Sequence, residues 1–183
     1  MHHVRLKQVF AVCFVILMGS LATRALADSV GLSFVPESTE VACDEARPID
    51  VWIDDSVTDL RGASLVMRFN PQVIRPVAVE EGQLFVDAAC PPFLRWNNET
   101  AIGDSVFVDV AGLGCSVQGP GPILRVWVTG VADGSTLLRG TTAILRDGAN
   151  VPMTALWTPA HFIVACPVET PVGSWAALKA AFR

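Results

Sequence analysis

Residues 49–85 read IDVWIDDSVTDLRGASLVMRFNPQVIRPVAVEEGQLF and contain the most regular pattern in the chain. In 49–54 and again in 63–70, apolar residues occupy every second position, and successive side chains of a β-strand point to opposite faces of a sheet. Pro71 follows the second run, and proline cannot donate a hydrogen bond to a β-ladder. The stretch therefore predicts two strands that each turn one face toward a core.

The same rhythm continues through the chain after residue 27. Short runs rich in Val, Ile, Leu, Phe and Trp are separated about every eight to twelve residues by Gly, Pro, Asn or Asp, which is typical of a β-sandwich. Nine strands are predicted, at 31–35, 49–54, 63–70, 73–79, 93–97, 105–111, 123–129, 135–145 and 162–166. The predicted fold class is therefore all-β, with two packed sheets.

Alternation within these strands also assigns side chains to faces. Residues at every second position of a strand share a face, so the polar positions between buried apolar ones point outward. The outward set in the second, third, sixth and seventh strands includes Trp52, Ser64, Val66, Arg68, Phe107, Asp109 and Trp127. These residues are the first candidates for a binding surface.

The first 27 residues have the pattern of a secretory signal peptide. Basic residues are followed by an apolar run from Val9 to Met18 and by the small-x-small site Ala25-Leu26-Ala27. The domain organisation predicted is a signal peptide at 1–27, a β-sandwich at 28–166 and a C-terminal tail at 167–183. No later segment has the roughly 20 apolar residues that a membrane-spanning helix needs.

Charge and cysteine content exclude several classes of function. Cleavage after residue 27 would remove three of the 13 basic residues and none of the 18 acidic ones, leaving a formal net charge of −8. Nucleic acid is therefore not an expected partner, because it requires a basic surface. The exported chain would retain Cys43, Cys90, Cys115 and Cys166, which suggests two disulfides with three possible connectivities. None of the cysteines is spaced as CxxC, so a zinc site is not expected.

Four segments of this sequence resemble successive parts of the bacterial cohesin domain. They are an alternating strand at 51–54, VTDLRG at 57–62, a second alternating strand at 63–69 followed by Asn70-Pro71, and VAVEEG at 77–82. The resemblance implies a nine-stranded jelly roll with sheets ordered 8-3-6-5 and 9-1-2-7-4. In that family the outer face of the first sheet grips the helices of a dockerin.

The resemblance also implies which residues would contact a partner and which cysteines would pair. Carried over, the partner-binding face would hold Ser64, Val66, Arg68, Phe107 and Asp109, with Arg95 or Trp96 from the fifth strand. Cohesins with this pattern usually present acidic or amide groups from the third strand, where this chain has Val66 and Arg68. In a sandwich of this kind the first and last strands lie side by side, which favours the pairs Cys43–Cys166 and Cys90–Cys115.

The resulting hypothesis is a secreted, non-catalytic module that binds a dockerin-type protein in an extracellular polysaccharide-processing or cell-surface assembly. One alternative is a carbohydrate-binding module in which Trp52 and Trp127 form an exposed pair that stacks on sugar rings. Another is a structural or adhesion domain of the cell envelope. The sequence leaves the oligomeric state open.

The tail offers a competing explanation for the two tryptophans. Trp175, Leu178 and Phe182 fall on one face of a short helix-prone run. Such a run is marginal in water, so it is expected to dock, either over Trp52 and Trp127 or on a separate protein.

No catalytic, metal or cofactor site is predicted. Asp54, Asp55 and Asp59 match no calcium-loop spacing and are interpreted as a solvated turn. Glu80 and Glu81 are adjacent on an extended segment and so point to opposite faces, which does not suit paired acid–base carboxylates. His161 is the only histidine after residue 27, and no Gly-x-Ser-x-Gly elbow accompanies it. An enzyme is therefore not expected, and no cofactor is implied.

Overall fold

Twelve β-strands and one short helix occupy the residues that the computed structural model describes, namely 29–89, 91–97 and 103–167. All nine predicted strands are present, and β2, β10 and β11 were not predicted. The elements are β1 Val30–Val35, β2 Ser38–Ala42, β3 Ala46–Ile53, β4 Leu60–Arg68, β5 Ile74–Glu81, α1 Gln83–Asp87, β6 Pro92–Asn97, β7 Ser105–Gly112, β8 Gly121–Gly130, β9 Gly134–Asp147, β10 Pro152–Met153, β11 Ala155–Thr158 and β12 Ala160–Ala165.

The strands form two sheets that pack face to face, which confirms the predicted all-β sandwich. One sheet has the order β11-β1-β3-β8-β5. The other has the order β2-β12-β9-β4-β7-β6, with β10 added to β9. Alternate residues of the strands fill the space between them, including Ile49, Val51 and Ile53 of β3. The segment β9-β4-β7-β6 is the sheet order that the sequence resemblance implies for its binding face.

The position of the last strand differs from the expected one. The strand predicted at 162–166 was expected beside β1, but β12 lies in the other sheet between β2 and β9. The chain changes sheets near both ends of the fold. In the five-stranded sheet β1 pairs in parallel with β11, and in the other sheet the strands that follow them, β2 and β12, also pair in parallel. Pro36 and Pro159 stand at the two changes of sheet, where proline ends a ladder because it lacks an N–H.

Trp157 of β11 packs between the two sheets at one edge of the sandwich. Its indole stacks on Phe34, with ring centroids 5.2 Å apart, and Phe34 is fully buried. The same indole lies directly over Gly140 of β9, where a Cβ atom would collide with the ring. Gly140 therefore gives Trp157 the room to bridge the sheets.

The Cys43–Cys166 disulfide is present, as predicted. Its Cα atoms lie 4.8 Å apart, and Cys43 also forms a parallel bridge with Gly130 at the end of β8. Cys115 is also disulfide-bonded, whereas Cys90 lies outside the described residues. The backbone N–H of Leu113 donates to the carbonyl of Pro91 at 2.9 Å, so the segments next to the two cysteines are neighbours. The pair Cys90–Cys115 stays a prediction.

The predicted signal peptide and most of the tail, from residue 168 on, also lie outside the described residues, as do Trp175, Leu178 and Phe182. Their boundaries stay predictions. Within the part of the chain that the structure describes, no helix is long and apolar enough to cross a membrane.

The Asp54 carboxylate ties the end of β3 to β1. It accepts hydrogen bonds from the N–H of Gly31 at 2.7 Å, the N–H of Ser56 at 3.2 Å and the Ser56 hydroxyl. Burial alone raises the pKa of Asp54, but these hydrogen bonds outweigh it, so the pKa lies below its ordinary value. Asp54 therefore stabilises the fold through its charged form.

We expect Asp54→Asn to flatten the acid limb of the stability curve. Because the folded pKa is lowered, the stabilisation is complete above the unfolded pKa of about 3.9 and is lost as the pH falls through the folded value. Urea unfolding at several pH values between about 2 and 6 measures this effect. Asp55→Asn is the control, since the Asp55 side chain has no hydrogen bond among the described residues. An unchanged acid limb in Asp54→Asn would contradict the assignment.

Candidate functional site

The outer side of β6, β7, β4 and β9 forms a continuous surface, here called the four-strand face. Antiparallel pairing brings its outward side chains into four rows that cross the strands. Row one holds Phe93, Ala111, Gly62 and Arg146; row two holds Arg95, Asp109, Ser64 and Ile144; row three holds Asn97, Phe107, Val66 and Thr142; and row four holds Arg68 and Arg139.

Large apolar side chains on this face are open to solvent. Phe93 is 47% exposed, Phe107 is 45% exposed and Ile144 is 47% exposed. Val66, half-buried, lies directly across the β4–β7 ladder from Phe107. Exposed apolar side chains gathered on one face of a folded domain favour an interaction surface there.

Three of the four side chains in the second row are polar, and two of these are hydrogen-bonded to each other. The Ser64 hydroxyl donates to Asp109 Oδ1 at 2.6 Å across the β4–β7 ladder. Arg95 lies on the other side of Asp109, across the β6–β7 ladder. This row places fixed polar groups between the apolar side chains of rows one and three.

Two adjoining depressions lie along the face. One, of about 330 Å³, is lined by residues of rows one and two and by others that include Arg61, Asp147 and Asn150. The other, of about 230 Å³, is lined by β6 and β7 residues that include Arg95 and Phe107. Asp109 lines both, so the two form one extended surface that crosses all four strands.

The structure places most of the predicted partner-binding residues on this face. Ser64, Val66, Arg68, Arg95, Phe107 and Asp109 all lie in the four rows. Trp96 is not in the rows: it pairs with the buried Val108 and packs against the core, although it also lines the smaller depression. The fifth strand offered Arg95 or Trp96, and since neighbouring residues of a strand face opposite ways, only Arg95 can point outward with Asp109.

Sequence reasoning missed several residues of the face. Phe93 follows from the same alternation as Arg95. The β9 contribution was harder to predict, because the β4–β9 register shifts between Val66 and Met67 and changes which β9 residues point outward. The residues missed include Phe93, Asn97, Arg139, Thr142, Ile144 and Arg146.

Trp52 and Trp127 both lie on the outer face of the five-stranded sheet, but they do not form an exposed pair. Each is half-buried, and each indole N–H is shielded from solvent without a hydrogen-bond partner among the described residues. Pro48 and Ala78 flank Trp127 in the register, while Ser33 and Pro122 flank Trp52.

The row between the two tryptophans is occupied by an ion pair. Arg125 donates two hydrogen bonds to Asp50, at 2.8 and 3.0 Å. The guanidinium and carboxylate separate the indoles, so the flat pair of exposed aromatics expected from the sequence is wrong in both exposure and spacing.

The ionisable residues considered for a metal or catalytic site either hold the fold together by hydrogen bonds or lie apart from one another. Asp59 accepts a hydrogen bond from the N–H of Gly148 at 3.1 Å, as Asp54 does from Gly31. His161 is exposed on β12, opposite Ser38 and Leu137. Over residues 29–89, 91–97 and 103–167, no three His, Cys, Asp or Glu side chains cluster as metal ligands would.

Comparison with known proteins gives a consistent result at the level of structure. No protein-family model and no curated protein matches the sequence. A non-cellulosomal cohesin from the archaeon Archaeoglobus fulgidus superimposes with a TM-score of 0.62 at 13% identity, over 85% of this chain and 99% of the cohesin.

Two bacterial structures give similar values. The cohesin module of a family 33 glycoside hydrolase from Clostridium perfringens matches with a TM-score of 0.61 at 16% identity, over 76% of this chain and 97% of that module. A chain of a type I cohesin–dockerin complex from Clostridium thermocellum matches with a TM-score of 0.60 at 12% identity, over 78% of this chain and 98% of that one. The protein therefore contains a cohesin-like β-sandwich domain.

Proposed function

We propose that this protein is a secreted, non-catalytic binding module that holds a dockerin-type protein on its four-strand face, in an extracellular polysaccharide-processing or cell-surface assembly. The observation that carries the proposal is the exposure of Phe93, Phe107 and Ile144 on the one outer face of β9-β4-β7-β6. Structures with this fold include cohesins in complex with dockerins. Export is supported by the Cys43–Cys166 disulfide, since disulfides persist mainly in oxidising compartments.

The composition of the face suits a protein partner. Protein interfaces are enriched in aromatic residues and arginine, with apolar groups at the centre and polar groups at the rim. On the four-strand face Phe107 and Val66 lie between the polar second row and the arginines of row four. A helix laid along the strands would contact several rows at once.

Phe107→Ala is expected to weaken partner binding by about 2 kcal/mol, or roughly thirtyfold in dissociation constant, as for an aromatic residue at an interface centre. Titration calorimetry of the protein against a panel of dockerin modules measures the effect. Leu156→Ala is the matched control, because Leu156 is 62% exposed but belongs to β11 of the other sheet.

Equal losses of dockerin affinity in Phe107→Ala and Leu156→Ala would contradict the assignment of partner binding to the four-strand face. Failure of every dockerin, together with polysaccharide binding that disappears in Trp52→Ala and Trp127→Ala, would favour the carbohydrate-binding alternative instead.

A further inference from the structure

Positive charge is concentrated on the four-strand face of an otherwise acidic domain. The described residues include eight arginines, no lysine and fifteen Asp and Glu residues, for a formal net charge of −7. The four rows contain Arg68, Arg95, Arg139 and Arg146 but a single carboxylate, that of Asp109. The rest of the described surface therefore carries four arginines and fourteen carboxylates.

The sharpest feature of this distribution is the pair Arg68 and Arg139. They lie directly opposite each other on β4 and β9, and both are exposed. Like charges directly opposite on neighbouring strands repel, so this pairing is unfavourable in the isolated domain. Neither guanidinium forms a salt bridge or hydrogen bond within the described part of the chain.

Arginines elsewhere on the domain show a different arrangement. Arg125 forms a two-point ion pair with Asp50, and Arg47 lies 2.6 Å from a carboxylate oxygen of Glu45. Two arginines outside the four rows are thus paired with a carboxylate, whereas among the described residues no carboxylate forms an ion pair with Arg68 or Arg139.

The space around the two guanidinium groups is open. A depression of about 360 Å³ is lined by Arg68, Arg139, Asn70, Thr136 and Thr141, together with the apolar residues Phe69 and Leu137. It adjoins row three, which presents Phe107 and Val66. An anionic group placed there would offset the repulsion between the arginines while the neighbouring part of the same ligand contacted the apolar row.

We propose that the partner of the four-strand face is acidic and places a carboxylate between Arg68 and Arg139. This inference rests on the proposed function and adds the partner's chemistry. Guanidinium forms strong, two-point hydrogen bonds to carboxylates, which gives orientation as well as affinity. A partner of this kind would lay apolar side chains on row three and acidic ones on row four.

The site also fits phosphate, but the rest of the surface does not fit nucleic acid. A polyanion extending beyond the face would meet the acidic remainder of the domain, whereas a short acidic segment would not. Binding of nucleic acid is therefore an outcome that would overturn the proposal.

The test is a chemical-shift titration of the exported chain, with disulfides intact, using octaglutamate as the probe. We expect shifts centred on rows three and four and weaker binding at higher salt. Arg68→Gln/Arg139→Gln should lower the affinity about five- to tenfold, since exposed charge pairs contribute modestly. Arg75→Gln removes one positive charge from an exposed position of β5 in the other sheet and should change the affinity less than about twofold.

A charge reversal makes the test two-sided. Arg68→Glu/Arg139→Glu should lose octaglutamate and bind octalysine at the same rows. Arg68→Gln/Arg139→Gln should have a melting temperature no lower than that of the unsubstituted protein, because it removes a repulsion between like charges. A loss of binding in this variant would therefore not reflect misfolding.

Three results would overturn the proposal: shifts scattered away from rows three and four, an equal loss in Arg75→Gln, or preferential binding of octalysine or single-stranded DNA by the unsubstituted face. The proposed function is tested separately. If a dockerin loses affinity in Phe107→Ala but not in Arg68→Gln/Arg139→Gln, the face binds a protein and only the acidic chemistry is wrong.

Discussion

Removing the Cys43–Cys166 disulfide should lower the free energy of unfolding by about 4–5 kcal/mol, the largest single effect expected in this domain. The bridge closes a loop with a sequence separation of 123 residues. In the chain-entropy account, a cross-link stabilises by restricting the unfolded chain, and the effect grows with the logarithm of the loop length. A loop of this size places the expected stabilisation near the upper end of the range for disulfides, which is about 0–5 kcal/mol.

The position of the bridge adds a structural reason. It joins the residue after β2 to the residue after β12, and these two strands pair in parallel with no turn between them. The Cys166 N–H also donates to the Asp133 carboxylate at 2.5 Å, and Cys43 bridges to Gly130. The disulfide therefore holds together the strand pair that no local connection maintains.

Urea unfolding of Cys43→Ala/Cys166→Ala measures the effect as a lower midpoint with a comparable slope. Adding reductant to this double variant provides the control, since any further loss then comes from a remaining bridge. An unchanged midpoint in the double variant would show that the cross-link contributes nothing. Partner binding below the unfolding temperature should be retained, because neither cysteine lies in the four rows.

Alternation predicted the central strands well because their two faces differ strongly in chemistry. In β3, β4, β7 and β8 the inward positions are buried apolar residues and most of the outward ones are polar or aromatic. The short strands β2 and β11 were missed because STEVA and ALWT are too brief for a clear period. Their pairing depends on partners distant in sequence, which local pattern cannot supply.

The four-strand face was half predictable for the same reason. Ser64, Val66, Arg68, Phe107 and Asp109 follow from alternation in strands that are regular over this stretch. Ile144 and Arg139 depend on the register shift in β9, which arises where Gly140 accommodates Trp157. Alternation also states which side a residue faces but not how deeply it is covered, and this is why Trp52 and Trp127 were expected to be exposed.

The contact between Trp157 and Gly140 leads to the second large prediction. Trp157→Ala should cost about 3 kcal/mol, because it removes the ring that stacks on Phe34 and fills the space between β11 and β9. Trp157→Phe is the matched control. It keeps an aromatic ring while removing an indole N–H that is buried without a partner in the described residues, so it should cost much less.

A double-mutant cycle separates this contact from general core packing. Gly140→Ala alone should cost about 1–3 kcal/mol, because the new methyl group would force the indole off Phe34. In the Trp157→Ala background the ring is gone, so the same substitution should be nearly neutral, and the two effects should be strongly non-additive. Urea midpoints of the four proteins measure the coupling. If the two losses of unfolding free energy were additive, Gly140 would be required for its backbone conformation and not for the space that it leaves to the Trp157 ring.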